Sequence, residues 1–169
     1  MATPPRPLRK TAARRPTVAA PASWLALDQQ LCFALYASSL AMTKLYKPLL
    51  EPLGLTYPQY LVMLVLWEAD GSIVSEVGQR LTLDSGTLTP LLKRLESTGL
   101  LRRERDAADE RRVRIHLTAA GGALKTRAAK VPPQMARATA CSRGELTALT
   151  QRLKRLRNEI TQFSTRAAA

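Results

Sequence analysis

Residues 83–118 constrain the fold most, because a helical spacing of apolar side chains gives way there to a two-residue alternation within a cluster of arginines. In the first half, the apolar residues that recur at helical spacing, and would face a core, are Leu88, Leu91, Leu92 and Leu95. After a helix stop at Thr98-Gly99, apolar and basic side chains alternate as in a strand with one packed face: Val113, Ile115 and Leu117 with Arg112, Arg114 and His116. We therefore predict an amphipathic helix followed by a β-hairpin.

The predicted helix turns small hydroxyls and basic side chains outward, namely Ser85, Thr87, Thr89, Lys93 and Arg94. Such side chains suit the major groove of DNA. An arginine-rich hairpin tip suits the minor groove. A helix with these outward side chains, followed by an arginine-rich hairpin, therefore predicts a recognition helix followed by a β-wing. The alternative is an ordinary amphipathic helix beside a solvated basic hairpin.

Pro90 leaves the start of this helix open. Proline removes an amide donor and fits poorly inside a helix, but it is favoured in the first helical position. The helix therefore either begins before Pro90 and is kinked there, or begins at Pro90 with Thr89 as its cap.

The charge balance points to a polyanionic partner. The 169 residues include 26 Lys and Arg against 13 Asp and Glu, a net charge of +13, in a length that fits one domain with tails. Such an excess attracts nucleic acid or an anionic membrane. Five of these charges fall in residues 1–23, which contain no acid and lack the apolar core of a secretion signal. We expect a disordered basic tail there.

Several functional classes are disfavoured. The apolar run at residues 61–67 is far shorter than the roughly 20 residues of a membrane helix, so we expect a soluble chain without a membrane partner. Two cysteines 109 positions apart and a single histidine give no spaced metal-ligand set. The chain has no Gly-rich phosphate loop. We therefore expect neither a metal nor a cofactor.

Three further helices are predicted before the wing. The first runs from Asp28 to about Lys47, carries apolar residues on more than one face, and is ended by Pro48 and Pro52. The second begins at Thr56-Tyr57-Pro58 and stops at Asp70-Gly71. A short third helix, from about Val74 to Arg80, precedes the recognition helix, and the two form a helix-turn-helix.

The chain returns to helix after Thr118, with an interruption at Val131-Pro132-Pro133. Ser142 and Glu145 then form a capping box for a final helix. Its apolar stripe has alternating spacings of three and four: Leu146, Leu149, Leu153, Leu156 and Ile160. We predict that this stripe packs on a second subunit, giving a homodimer; the alternative is packing within its own chain.

The predicted fold is mainly α with a small β-wing: a winged helix-turn-helix joined to a helical dimerisation region built from the N- and C-terminal helices. We divide the chain into a basic tail at residues 1–23, an N-terminal dimerisation helix and linker at 24–56, a DNA-binding lobe at 57–118 and C-terminal dimerisation helices at 119–169.

Cys32 is a candidate reactive thiol. It lies one turn after Asp28, a possible N-cap, where a helix start stabilises a thiolate. The alternative is an inert core cysteine. Tyr36 shares its helical face, whereas Tyr46 lies fourteen residues on, about 21 Å along a straight helix. An antiparallel partner helix would bring Tyr46 and Tyr57 to Cys32. Cys141 falls on a connection before the last helix, and the alternative for it is an idle surface cysteine.

Three segments carry a family resemblance: LDQQLCFALYASSLAMTKLYKPLLEPLGLTYPQYLVMLVLWE, LDSGTLTPLLKRLE and DERRVRIHLT. They resemble the MarR family of winged-helix regulators, and within it the organic-hydroperoxide-sensing OhrR branch. The resemblance implies a dimeric repressor of operator DNA whose inducer is an organic hydroperoxide.

The same resemblance assigns roles to individual residues. It makes Cys32 the thiol oxidised to a sulfenic acid, with Tyr46 and Tyr57 of the partner chain as hydrogen-bond donors and Tyr36 close by. Cys141 would form an intersubunit disulfide with Cys32. In DNA binding, it implies groove contacts by the side chains of Ser85, Thr87, Thr89 and Lys93, minor-groove insertion by Arg111, and orientation of Arg111 by Asp109.

Two other functions stay open at this point. One is a repressor of the same fold that responds to a small aromatic ligand without cysteine chemistry. The other is a thiol peroxidase, since an activated cysteine near a helix start suits that enzyme too, although the recognition helix and wing argue against an enzyme. A cysteine sensor suits a reducing cytosol, so we expect a cytoplasmic protein.

Overall fold

A computed structural model describes residues 25–106, 109 and 111–167, and the predicted basic tail lies outside these residues. The α-helices are α1 (Leu31–Leu50), α2 (Tyr57–Glu68), α3 (Val74–Leu81), α4 (Ser85–Ser97), α5 (Ala119–Ala128), α6 (Val131–Ala138) and α7 (Arg143–Ala167). The strands β1 (Leu101–Arg105) and β2 (Val113–Leu117) lie between α4 and α5. Short 3-10 turns occur at Leu27–Gln29 and Glu51–Leu53. The predicted fold class, a mainly helical winged helix-turn-helix, is confirmed.

The chain divides into two units between Ser39 and Leu40, within α1. In the first unit, the 3-10 turn closes with a hydrogen bond from the Gln30 N–H to the Leu27 carbonyl, and α1 starts only at Leu31. The prediction that a helix begins at Asp28 is therefore wrong, since Asp28 lies inside the 3-10 turn and does not cap α1.

The second unit, Leu40–Ala169, contains the core, and α2 lies at its centre. Thr56 and Gln59 form a capping box at the start of α2, and the Thr56 N–H donates to Gln59 Oε1 at 2.8 Å. Val62, Met63 and Leu66 on α2 are almost completely buried. The predicted bounds of this helix are confirmed.

Pro48 does not end α1, contrary to the prediction. The helix continues to Leu50, which is fully buried, and Pro52 lies in the following 3-10 turn. Proline removes one amide donor, and burial of Leu50 offsets that loss in the last turn. Gly54 then reverses the chain with a φ of 68°.

The helix-turn-helix consists of α3 and α4. Thr82 ends α3 in the left-handed region, with a φ of 57°, and the Leu83 N–H donates to the Gly78 carbonyl at 2.9 Å. A Cβ on Gly78 would lie 2.9 Å from the Leu83 carbonyl oxygen, so the turn closes tightly because residue 78 is glycine. Helix α4 begins at Ser85, with Asp84 as its cap, and passes through Pro90. Thr89 is therefore not a cap.

The wing is the antiparallel pair of β1 and β2, in which Leu101 pairs with Leu117 and Arg103 with Ile115. Leu101 and Ile115 are buried and Val113 and Leu117 are half-buried, whereas Arg112 and Arg114 are exposed, as the predicted alternation requires. His116, predicted on the outer face, is also half-buried. An isolated bridge joins Ile73, before α3, to Arg114 on β2.

Helices α5, α6 and α7 follow the wing. Trp67 Nε1 donates to the Gly121 carbonyl at 2.9 Å, and Lys125 Nζ donates to the Trp67 carbonyl at 2.7 Å, so α5 is fixed on α2. Val131-Pro132-Pro133 starts α6. The predicted capping box of α7 is confirmed, because the Ser142 N–H donates to Glu145 Oε2 at 2.7 Å and the Glu145 N–H donates to Ser142 Oγ at 3.3 Å.

Among the described residues, no single helix is long and apolar enough to cross a membrane. One bent pair, Leu31–Leu53 with Tyr57–Glu68, passes that test on length and composition alone.

Candidate nucleic-acid interface and cysteine site

The amino end of α4 is fixed by Asp84. Its carboxylate accepts the Thr87 N–H at 2.8 Å and the Thr87 hydroxyl at 3.0 Å. Both hydrogen bonds lower the pKa of Asp84, and the bond from the Thr87 backbone has the larger effect. The Thr87 hydroxyl proton is thus engaged within the protein, which leaves its oxygen as an acceptor.

The outer face of α4 matches the predicted set closely. Ser85, Thr87, Lys93 and Arg94 are exposed, whereas Thr89 is half-buried. On the opposite face, Leu88, Leu92 and Leu95 are buried and Leu91 is half-buried. The buried leucines hold α4 on the core while its hydroxyl and basic side chains face outward.

An ion pair fixes β1 against α4. Arg103 Nε donates to Glu96 Oε2 at 2.8 Å, and the Arg103 N–H donates to Glu96 Oε1 at 3.1 Å. The side-chain bond from Arg103 is the largest cause of the lowered pKa of Glu96. This pair sets where the wing starts relative to the helix.

A second ion pair fixes the wing from the other strand. Arg114 Nε donates to Asp106 Oδ2 at 2.7 Å, and Arg114 Nη1 donates to the Gly71 carbonyl at 3.0 Å. Asp106 is only 7% exposed. Sequence reasoning missed both pairs; the available signal was the presence of acids, Glu96 and Asp106, at either end of a strand rich in arginine.

The resemblance implies that Asp109 orients the Arg111 side chain at the tip of the wing, but the structure shows other contacts. Asp109 accepts the Arg111 N–H at 3.1 Å, but its ion pair, at 3.1 Å, is with Arg112 Nε. It therefore fixes the backbone at Arg111. The Arg111 side chain is exposed, and no ion pair joins it to a carboxylate among the described residues.

Helix α4 and the wing border one groove of about 800 Å³. Its polar lining comes from α3 (Ser75 and Gln79), from the turn before α4 (Thr82), from α4 (Ser85 and Thr89) and from the wing (Arg103, Arg111 and Arg112). Thr87, Lys93 and Arg94, also predicted to contact DNA, lie outside this groove. The structure thus brings predicted residues from the helix and the wing to one concave, basic surface. This arrangement suits a DNA duplex, with the helix in the major groove and the wing tip beside the minor groove.

Tyr46 and Tyr57 are brought together, with ring centroids 4.5 Å apart. Tyr60, which sequence reasoning missed, lies 6.0 Å from Tyr46. Burial, and then the neighbouring Tyr57 and Tyr60, raise the pKa of Tyr46 to about 12. Burial also raises the pKa of Tyr57. These phenols therefore stay protonated at neutral pH, and a protonated phenol can donate a hydrogen bond.

An apolar groove of about 550 Å³ adjoins Tyr57. Its lining includes Thr43, Lys44 and Lys47 from α1.

Cys32 is the second residue of α1 and belongs to the first unit, as does Tyr36. Both side chains are exposed, so the alternative of a thiol buried in the core of its own chain is wrong. Cys141 is an exposed free thiol between α6 and α7 and follows Ala140, whose φ is 53°. No group of three or more metal-ligating side chains occurs in the part of the chain that the structure describes.

A helix-turn-helix whose second helix and wing share a basic groove defines a winged-helix DNA-binding protein. The Transcriptional regulator SarA/Rot family matches residues 44–127. The chain is 57% identical over 106 residues to the organic hydroperoxide resistance transcriptional regulator of Bacillus subtilis strain 168, covering 63% of this chain and 72% of that protein. It is 52% identical over 134 residues to the regulator TtmR of Methylorubrum extorquens strain PA1, covering 79% of this chain and 69% of that protein.

Solved structures of AbfR, a protein of Staphylococcus epidermidis, are also similar. Reduced AbfR bound to DNA is 34% identical with a TM-score of 0.66, covering 80% of this chain and 94% of that one. Disulfide-formed AbfR is 37% identical with a TM-score of 0.57, covering 77% and 91%. The chain belongs to the MarR family of winged-helix transcriptional regulators. It is a DNA-binding regulator and not an enzyme, so the thiol-peroxidase alternative is wrong.

Proposed function

We propose that this protein is a homodimeric repressor that releases operator DNA when an organic hydroperoxide oxidises Cys32. The observation that carries the proposal is the exposed thiol in the first turn of α1. A helix start leaves backbone N–H groups near this sulfur, and its exposure gives a hydroperoxide access to it. The similarity to a Bacillus subtilis regulator named for organic hydroperoxide resistance supports the choice of oxidant.

The resting protein binds DNA through α4 and the wing. Ser85, Thr87, Thr89 and Lys93 contact the major groove, with Arg94 on the same exposed face, and Arg111 enters the minor groove. Asp109 supports Arg111 through the hydrogen bond to its backbone. Two such surfaces in a dimer contact half-sites about 34 Å apart.

Dimerisation is supported by apolar side chains that the single chain leaves exposed. On α1, Leu31 is 56% and Leu40 is 46% exposed; on α7, Leu149 is 54% and Ile160 is 55% exposed. Burying each such side chain contributes roughly 1.5–3 kcal/mol to the stability of the assembly. We therefore expect these side chains to pack against a second copy of the chain.

In this arrangement, residues 24–56 and 119–169 supply the dimerisation region and residues 57–118 the DNA-binding lobe. Sedimentation velocity at micromolar concentration should give the mass of two chains. Sedimentation as a monomer would contradict the dimer.

Oxidation takes place in two steps. The Cys32 thiolate attacks an oxygen of the hydroperoxide, an S–O bond forms as the O–O bond breaks, and the alkoxide leaves as an alcohol after gaining a proton. The sulfur is oxidised by two electrons and the peroxide is reduced. The Cys141 thiol of the partner subunit then attacks the sulfenic sulfur, so that an S–S bond forms as the S–O bond breaks, and the hydroxyl leaves with the thiol proton as water.

The tyrosine pair supplies hydrogen bonds to this sulfur from the partner subunit. Tyr46 and Tyr57 are adjacent and protonated, and Tyr36 lies one helical turn after Cys32. Because the disulfide joins Cys32 to the start of α7, its formation moves helices of the dimer interface. A modest rotation there takes both recognition helices out of register with their half-sites.

Mass spectrometry under non-reducing conditions tests the chemistry. One equivalent of cumene hydroperoxide is expected to give a disulfide-linked dimer in the wild type, a trappable sulfenic acid at Cys32 in Cys141→Ser, and no oxidation product in Cys32→Ser. Cys141→Ser is the matched control because it removes the other exposed thiol. Equal oxidation of Cys141 in the wild type and in Cys32→Ser would contradict the proposal.

The second candidate function is a repressor that responds to a small aromatic acid. The apolar groove beside Tyr57, whose charged lining consists of Lys44, Lys47 and one acid, Glu51, is the observation that favours it. Cys32→Ser separates the two functions, because a repressor induced through this groove still releases DNA without the thiol.

A further inference from the structure

The positive charge of the chain is concentrated outside the DNA-binding lobe. Residues 57–118 contain nine Lys and Arg against nine Asp and Glu, whereas residues 119–169 contain ten against two. The net charge is therefore zero for the lobe and +8 for the C-terminal helices. Dimerisation through an apolar stripe does not need this excess, and like charges in paired helices oppose association.

Part of this charge lies beside the helix-turn-helix. A groove of about 570 Å³ is lined by polar residues alone: Thr82, Arg157, Asn158, Thr161, Gln162, Thr165 and Arg166. Thr82 also lines the larger groove between α4 and the wing. The two grooves are therefore neighbours that meet at the turn between α3 and α4.

The groove presents donors and no acids. Arg157 and Arg166 are exposed, and neither has an ion-pair partner among the described residues; Arg157 makes one long bond, 3.4 Å, to Asn158 Oδ1. The hydroxyls of Thr161 and Thr165 donate to carbonyls one turn earlier on α7, at 2.9 Å and 3.0 Å. The guanidinium groups are thus the main donors left for a ligand, and guanidinium matches the geometry of a phosphate.

We propose that Thr82 and the C-terminal half of α7 form a second DNA contact, which binds the sugar-phosphate backbone next to the segment read by α4 and the wing. The continuity at Thr82 and the surplus of guanidinium groups without carboxylate partners favour the phosphate backbone over a protein partner. In a helix-turn-helix, the first helix crosses the backbone, so phosphates pass close to the turn that ends α3. This inference rests on the DNA-reading surface proposed above.

The contact adds affinity without reading sequence, because phosphates carry no direct sequence information. The test is fluorescence anisotropy over a salt series, with a duplex from the promoter of the protein's own gene and an unrelated duplex. Arg157→Gln and Arg166→Gln are each expected to lower the slope of log affinity against log salt by about 0.9 per subunit. Both should weaken binding to the two duplexes by the same factor.

Arg143→Gln is the matched control, because it removes the same charge from the same helix fourteen residues before Arg157 and does not line the groove. Its slope should equal that of the wild type. Equal slopes for Arg143→Gln, Arg157→Gln and Arg166→Gln would overturn the inference. Arg111→Gln tests the reading surface separately: if only this variant weakens binding, the proposed function stands and the second contact fails.

Discussion

Glu96, in the last turn of α4, holds Arg103 of β1 by both its side chain and its backbone, with Nε 2.8 Å and the amide nitrogen 3.1 Å from the two carboxylate oxygens. The recognition helix and the wing are thus joined by one carboxylate at the point where the chain passes from one to the other. The position of the wing arginines relative to α4 depends on this ion pair.

The Glu96–Arg103 pair predicts an acid-dependent loss of stability. The pKa of Glu96 lies below its ordinary 4.5, chiefly because Arg103 donates a side-chain hydrogen bond to it. The carboxylate therefore stabilises the fold above pH 4.5, and this contribution is lost as the pH falls through the lowered pKa. Urea unfolding should show a smaller decrease in stability on acidification for Glu96→Gln than for the wild type. In an Arg103→Gln background the effect of Glu96→Gln should be smaller, because only the hydrogen bond from the backbone N–H of residue 103 remains; an unchanged effect would contradict the coupling.

Gly121 is predicted to be intolerant of a side chain. A Cβ there would lie 1.9 Å from the Leu100 carbonyl oxygen, while Gly122 has no atom within 4 Å of such a Cβ. Gly121→Ala should lower the free energy of unfolding by about 1–3 kcal/mol through overpacking. Gly122→Ala, the matched control, should raise it by up to about 1 kcal/mol through helix propensity. Denaturant unfolding of both variants checks this, and similar values would contradict the packing of α5.

Thr82 is a β-branched residue with a φ of 57°, in the left-handed region. Thr82→Gly removes this strain and should raise the free energy of unfolding by about 1 kcal/mol. Thermal unfolding should show a melting temperature higher by about 2–4 °C. The matched comparison is Ala140→Gly, at the other non-glycine residue with positive φ in the described chain, where the gain should be smaller because alanine is not β-branched. A lower melting temperature for Thr82→Gly would show that the hydroxyl or methyl group stabilises the turn.

The tyrosine cluster predicts an alkaline transition. The pKa of Tyr46 is raised to about 12 from 10.0, first by burial and then by Tyr57 and Tyr60. Since the folded protein favours the neutral phenol, this contribution is complete below pH 10.0 and is lost as the pH rises toward about 12. Ultraviolet difference absorbance should show a late tyrosine titration, and Tyr46→Phe should remove the contribution of one tyrosine from it, since the pKa values of Tyr57 and Tyr60 are raised as well. Stability of Tyr46→Phe should fall less steeply than that of the wild type over this range, and equal slopes would contradict the assignment.

The order of the helices and the wing was predictable from the sequence because these elements are set by local patterns. The leucines of α4 fix its buried face, Thr56 with Pro58 fixes the start of α2, and Ser142 with Glu145 fixes the start of α7. In each case the residues that decide the structure lie within a few positions of one another.

The predicted ends of α1 were wrong because other interactions outweigh the local sequence signals there. Asp28 resembles a helix cap, but a 3-10 turn delays α1 to Leu31. Pro48 resembles a helix stop, but buried Leu50 extends the helix past it. The bonds of Arg114 to Asp106 and to the Gly71 carbonyl, which lies 43 residues away, depend on tertiary packing and leave no periodic signal.

Anisotropy of a labelled duplex from the protein's own promoter measures whether oxidation of Cys32 releases DNA. With stoichiometric cumene hydroperoxide, we expect the wild type to release the duplex and Cys32→Ser to remain bound. We expect Cys141→Ser to respond with altered reversibility, because it cannot form the disulfide. Release by Cys32→Ser, or a wild type that stays bound after its thiol is oxidised, would rule out DNA release through Cys32.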